Sequence, residues 1–189
     1  ENRGVAEASN EALSMSTGKF VGFLDHDDEL TMDALFHVVE LLNRNPSLDL
    51  IYSDEDKKDL EGRRVEPFFK PDWSPDLLLS MNYVCHFSVV RKSLINKIGG
   101  FRSGFEGSQD YDLILRVTEL TDKIGHIPKP LYSWRKVPGS ASTSMEAKPY
   151  ARESAKKALR EALNRRGLKG DILDGFSGNY RVRYAIRGV

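Results

Sequence analysis

Cysteine is almost absent from this chain: Cys85 stands alone among 189 residues. No internal disulfide is possible, and no CxxC or HxxxH pairing offers a zinc site, so a reducing, cytoplasmic compartment fits. Cys85 itself reads as a core residue. Net charge is missing too, since 28 Lys and Arg face 28 Asp and Glu, and composition gives no reason to expect nucleic acid as a partner. Long apolar runs are also lacking. The longest uncharged stretch, "LLLSMNYVCHFSVV" between Asp76 and Arg91, is short for a membrane span and broken by Ser, Asn and His. No transmembrane segment is expected.

What remains is 40% hydrophobic and 30% charged residues, the balance of one globular domain. Val5, Ala8, Ala12 and Met15 recur at helical spacing and predict an amphipathic helix over 3–16, ended by Thr17-Gly18. Phe20 to Leu24 is a continuous apolar strand of the kind covered on both faces. Thr31 reads as the N-cap of a second helix, with Asp33 in its first turn, Leu30 facing Leu35 as a staple, and Leu35, Val38, Val39 and Leu42 inward; Asn45-Pro46 ends it. Asp49 to Asp54 is a second apolar strand. This alternation predicts an α/β fold with a mostly parallel sheet flanked by helices.

The segment "KKDLEGRRVEPFFKPDWSPD" mixes charges, aromatics and prolines and reads as a long surface excursion. "NYVCHFSVVRK" alternates like a strand, and "GSQDYDLILRVTEL" predicts a helix capped by Ser108. "LYSWRK" reads as a short strand. The last helix runs from Pro149 to Arg166, with Ala155, Ala158, Leu159, Ala162 and Leu163 inward and Gly167 as C′.

The chemistry concentrates at "FVGFLDHDDEL", where an apolar strand runs into Asp25, Asp27, Asp28 and Glu29. Two carboxylates about 4 Å apart repel by roughly 4 kcal/mol at an effective dielectric near 20, so the cluster calls for a cation. In open α/β sheets ligands sit at the carboxyl ends of strands, and a D-x-D there suits Mg²⁺ or Mn²⁺ shared with substrate phosphates. An acidic solvated turn is the plainer alternative. An EF-hand is not: its sixth place needs Gly and its twelfth Glu, where this chain has Leu30 and Phe36. A phosphatase of the haloacid-dehalogenase kind also puts D-x-D after a strand, with Asp25 as nucleophile and "GSQDYD" as a later acidic motif. "DHDDEL" lacks the Thr usual there, and a helix precedes the strand.

"NRGVAEASNEALSMSTGKFVGFLDHDDEL" resembles the middle of family 2 glycosyltransferases of the GT-A, Rossmann-like fold. "KPDWSPDLLLSMNYVCHFSVVRKSLINKIGGFRSGFEGSQDYDLILRV" resembles their acceptor side, including a G-G-F turn and an acidic base motif, and "PLYSWRKVPGSAS" continues the likeness. The resemblance implies transfer of a sugar, commonly with inversion, from a nucleotide-diphosphate donor to the hydroxyl of a glycan or lipid-linked glycan acceptor, in surface polysaccharide biosynthesis. It carries Asp25 and Asp27 over as donor and divalent-metal ligands, with Asp27 the direct metal contact and Asp25 on the ribose or the metal. Asp28 either assists or favours the start of the next helix. Asp110 matches the base, with Gln109 where Glu is common, and Asp112 reads as a helix-terminus or supporting group. Trp134 and Arg135 fall where the donor phosphates are approached, and Trp73 and Tyr83, with Phe68 and Phe69, offer aromatic platforms for the acceptor. His26, His37, His86 and His126 read as structural, His26 being nearest the donor.

The resemblance also implies a truncation, since the family's N-terminal nucleotide-binding strands have no counterpart here. Residues 1–170 are thus expected to form a partial glycosyltransferase domain, and 171–189 a connecting strand towards a further module. An uncovered sheet edge implies a homodimer or association with the missing half, and the inner face of a membrane is where a lipid-linked acceptor would be met. A glycan-binding fragment without catalysis is the contrasting expectation.

Overall fold

The computed structural model describes residues 3–136 and 149–185. In chain order the elements are α1 (Val5–Met15), β1 (Phe20–Gly22), β2 (Glu29–Leu30), α2 (Ala34–Arg44), β3 (Leu50–Lys58), β4 (Arg64–Phe68), α3 (Pro75–Leu78), β5 (Ser88–Arg91), α4 (Lys92–Lys97), α5 (Gln109–Val117), β6 (Ile124–Arg135), α6 (Pro149–Arg165), β7 (Gly170–Asp174) and β8 (Tyr180–Tyr184). The fold is mixed α/β.

The sheet runs β1–β5–β3–β6–β2, with β4 also on β3. Among the described strands only β3 and β6 pair in parallel; β1–β5, β5–β3, β3–β4 and β2–β6 are antiparallel. The expectation of a mostly parallel sheet is therefore corrected. Its physical reason is β5: this strand returns from the irregular middle of the chain and inserts between β1 and β3, which the alternation of helices and strands suggested as parallel neighbours. β3 is the axis, and its side chains alternate between two cores. Leu50 and Tyr52 join one, with Leu113, Ile114 and Leu159, whereas Ile51 joins Ala34, Val38 and Tyr132 in the other.

Helix faces were harder to read. α1 buries Ala6 and Leu13, leaving Val5 and Met15 exposed, and α2 buries Ala34 and Val38 while Leu35, Phe36 and Val39 stay more than half exposed. Both inward stripes are thus rotated from the expected ones. Asp33, not Thr31, is the N-cap of α2, and β1 and β5 are shorter than the apolar runs containing them. "LYSWR" is the end of the 12-residue β6, held to β3 as far as the Lys58–Arg135 pair. The surface excursion contains β4, hairpinned on β3, and α3, where Ser74 caps the helix by accepting from Leu77 N at 3.2 Å. In α6 all five expected residues are buried, and Gly167 takes φ +67° just past the end, a conformation that favours glycine. Residues 170–184 form an antiparallel ribbon of β7 and β8, while 186–189 of the expected connecting strand and 137–142 of the quoted likeness lie outside the described residues. No helix among the described residues is long and apolar enough to cross a membrane.

Candidate active site

The strand end β1 delivers Asp25 into a turn closed by Asp28 N donating to Asp25 O at 3.1 Å. Asp25 and Asp27 keep 64% and 42% of their side-chain surface open, but Asp28 turns inward. Tyr132 of β6 donates its hydroxyl to Asp28 Oδ2 at 2.5 Å, and Arg135 N donates to Oδ1 at 2.9 Å. Burial pushes the Asp28 carboxyl up, and these two hydrogen bonds oppose it. The three acids thus divide: two open to solvent, one fixed to β6. The same Tyr132 hydroxyl accepts from Asp25 N at 3.3 Å, so β6 sets the path of the acidic turn.

His86, just before β5, completes the wall. Its Nε2 lies 3.8 Å from Asp25 Oδ2 and its Nδ1 3.9 Å from Glu55 Oε2, and its ring stacks on Tyr132 at 4.8 Å and leans on Trp134 at 5.5 Å. Its backbone N–H donates to Glu55, and its carbonyl accepts from Lys70 Nζ. Lys70 also reaches Glu55 at 3.2 Å; its side chain is fully buried, which pulls the ammonium pKa down while Glu55 opposes that. His86 and Glu55 were missed as site residues in the sequence. The signal available was a histidine and an asparagine inside an otherwise apolar run, and a Glu in the part of β3 that leaves the core.

Asp110 enters from the first turn of α5. Asn82 Nδ2 donates to its Oδ2 at 3.0 Å. Packing around the carboxylate raises its pKa, opposed by His86 and by the Tyr111 backbone N–H, while Asp25 raises it further. Asp25 and His86 therefore lie within electrostatic reach of the Asp110 carboxylate, although the three come from separate parts of the chain. Ser108 is not a side-chain cap; its Oγ donates to Ala151 O at 2.7 Å, tying α5 to α6. Gln109 Oε1 is buried and without a hydrogen-bond partner among the described residues. Asp112 faces away into the core, between Arg102 and Arg116.

Trp73 is half-buried and stacks on Tyr83 at 6.4 Å. Tyr83 is fully buried, with its hydroxyl accepting from Ser74 N at 2.8 Å, so it supports Trp73 from beneath. The loop between β4 and α3 is pinned by His126, which reaches Asp54 at 2.9 Å and Asp72 at 3.1 Å and stacks on Tyr52. His37 sits with Asp33 and Glu40 on α2, and His26 is exposed beside Asp27 at 3.7 Å. No group of three or more His, Cys, Asp or Glu side chains among the described residues forms a ready metal cage. Two open carboxylates nonetheless suit a Mg²⁺ or Mn²⁺ ion that keeps waters and shares substrate phosphates.

Residues 1–99 match the family described as Glycosyl transferase family 2. The O-antigen biosynthesis protein RfbC of Myxococcus xanthus is 44% identical over 97% of this chain and 14% of its own length. Chondroitin synthase of Escherichia coli is 29% identical over 89% of this chain and 24% of its own length. The chain thus spans a quarter or less of these curated relatives. Among solved structures, S. aureus TarS 1–349 in complex with UDP-GlcNAc superposes with a TM-score of 0.57 at 18% identity, covering 86% of this chain and 52% of that one. The fold is that of GT-A glycosyltransferases.

Proposed function

Since this chain belongs to glycosyl transferase family 2, we propose that it carries the catalytic part of an enzyme transferring a sugar from a nucleotide-diphosphate donor to a glycan hydroxyl, with inversion. The observation that carries the reading is the pairing of the strand-end Asp25 with His86, both within electrostatic reach of Asp110. RfbC and chondroitin synthase are named for O-antigen biosynthesis and chondroitin synthesis, and a solved TarS structure holds UDP-GlcNAc. These support a polysaccharide product and a UDP-sugar donor. Family membership removes the motivation for the phosphatase alternative.

In this reading Asp110 takes the proton of the acceptor hydroxyl as its oxygen attacks the anomeric carbon and the bond to the diphosphate oxygen breaks. Such base catalysis is worth about 10² to 10⁴ in rate. Asp25 and Asp27 would hold a divalent ion, which supplies charge stabilisation to the departing diphosphate. Arg135, beside Asp28, meets donor phosphate with a planar guanidinium, and Trp134 closes the wall behind it. Trp73, backed by Tyr83, gives the acceptor ring an apolar face.

Calorimetric titration of Mn²⁺ plus UDP into the wild-type chain and into Asp27→Ala tests the donor site. Binding that requires the metal and disappears in the variant is expected; metal-independent binding retained by the variant contradicts the assignment of Asp27.

A further inference from the structure

Asp110 is held from across the fold by a neutral amide. Asn82 lies in the turn after α3, where Met81 N donates to Leu77 O and Tyr83 N to Met81 O, both at 2.9 Å. The Tyr111 hydroxyl donates to Leu78 O, so this turn and the first turn of α5 are joined at two adjacent points. Asn82 Nδ2 is used on Asp110, whereas Asn82 Oδ1 is buried with no hydrogen-bond partner among the described residues. The opposite amide orientation would set two oxygens against each other. Packing alone does not select which end of an amide faces a carboxylate. The Asp110 carboxylate, which only accepts, favours the Nδ2 end, and the Cys85 thiol lies beside the same amide.

We propose that Asn82 is a positioning residue, whose amide fixes the Asp110 carboxylate for the acceptor hydroxyl. The inference rests on the reading of Asp110 as base. A neutral donor suits this role because it orients the carboxylate and favours its ionised form, without the neutralisation that an arginine would bring. The other titratable groups acting on Asp110 are Asp25, Cys85 and His86.

The test uses the whole chain, labelled with ¹⁵N and ¹³C, and its titration readout needs no turnover. The Asn82 side-chain amide signal is expected to shift with pH as Asp110 titrates and to lose that inflection in Asp110→Asn. A flat amide signal in wild type would overturn the proposal. In Asn82→Leu, the Asp110 carboxyl is expected to titrate at higher pH, because a hydrogen bond to its charged form is lost, and Asn82→Ser, which keeps a donor, should restore part of the difference. An unchanged Asp110 titration in Asn82→Leu would make Asn82 a packing residue. If Asn82→Leu fails to fold, the wild-type amide measurement decides. A flat amide signal beside an inactive Asp110→Asn would sink the positioning role alone; full transfer by Asp110→Asn would sink the base reading and the positioning role together.

Discussion

Asp110 and Asp112 sit two places apart on α5, and the fold treats them in opposite ways. Asp112 is fully buried and answered by two arginines: Arg116 Nη2 reaches Oδ2 at 2.7 Å, and Arg102 reaches both oxygens. The same Arg116 donates to Ile98 O and Gly100 O at 2.9 and 2.8 Å, fixing the G-G-F turn, and Arg102 continues to Glu161 of α6. Asp110 receives a neutral amide and a backbone N–H instead, and burial raises its pKa. One carboxylate is compensated and builds the core. The other has no charged hydrogen-bond donor among the described residues, lies within electrostatic reach of Asp25 and His86, and is the candidate proton acceptor.

The comparison breaks most visibly at Asp112. Asp112→Ala leaves the buried Arg116 guanidinium without its carboxylate, while Arg102 keeps Glu161, and is expected to cost about 3–5 kcal/mol, measured by urea unfolding. Asp110→Asn should instead lower sugar transfer by about 10² to 10⁴ while the chain remains folded, as steady-state rates and circular dichroism would show. Tyr132→Phe removes a hydrogen bond to the half-buried Asp28 carboxylate, worth about 1.5–3 kcal/mol, and should let the Asp28 carboxyl titrate at still higher pH, read by NMR. Smallest is Arg183→Ala. Its partner Asp171 and Arg183 itself are both more than 60% exposed in their side chains, so the loss should stay below about 1 kcal/mol.

Much of this contrast was legible in sequence. The strand leading into D-x-D, the α5 start and all five inward residues of α6 follow from local periodicity and turn residues. The sheet was less legible: β5 enters between β1 and β3 through long-range pairing that no local pattern encodes. Helix faces failed where small residues, Ala6 and Ala34, take the buried positions and larger apolar ones stay outside. Asp25 and Asp110 were readable as candidates because their motifs are local. His86, Glu55 and Asn82 were not, since their contacts form only when β5, β3 and the α3 turn meet α5 and the acidic turn.

The most direct test is thermal unfolding of wild type, Asp110→Asn and Asp112→Asn across pH. Because the folded chain holds a proton on Asp110 more readily than the unfolded chain does, the charged carboxylate weakens the fold as pH rises from the ordinary value of 3.8 through its raised pKa. The account predicts that Asp110→Asn melts above wild type at pH 7, with the advantage fading as pH falls towards 3.8, while Asp112→Asn melts below wild type at pH 7. If Asp110→Asn melted as far below wild type as Asp112→Asn does, both acids would be structural, and the claim that Asp110 is held uncompensated for catalysis would be contradicted.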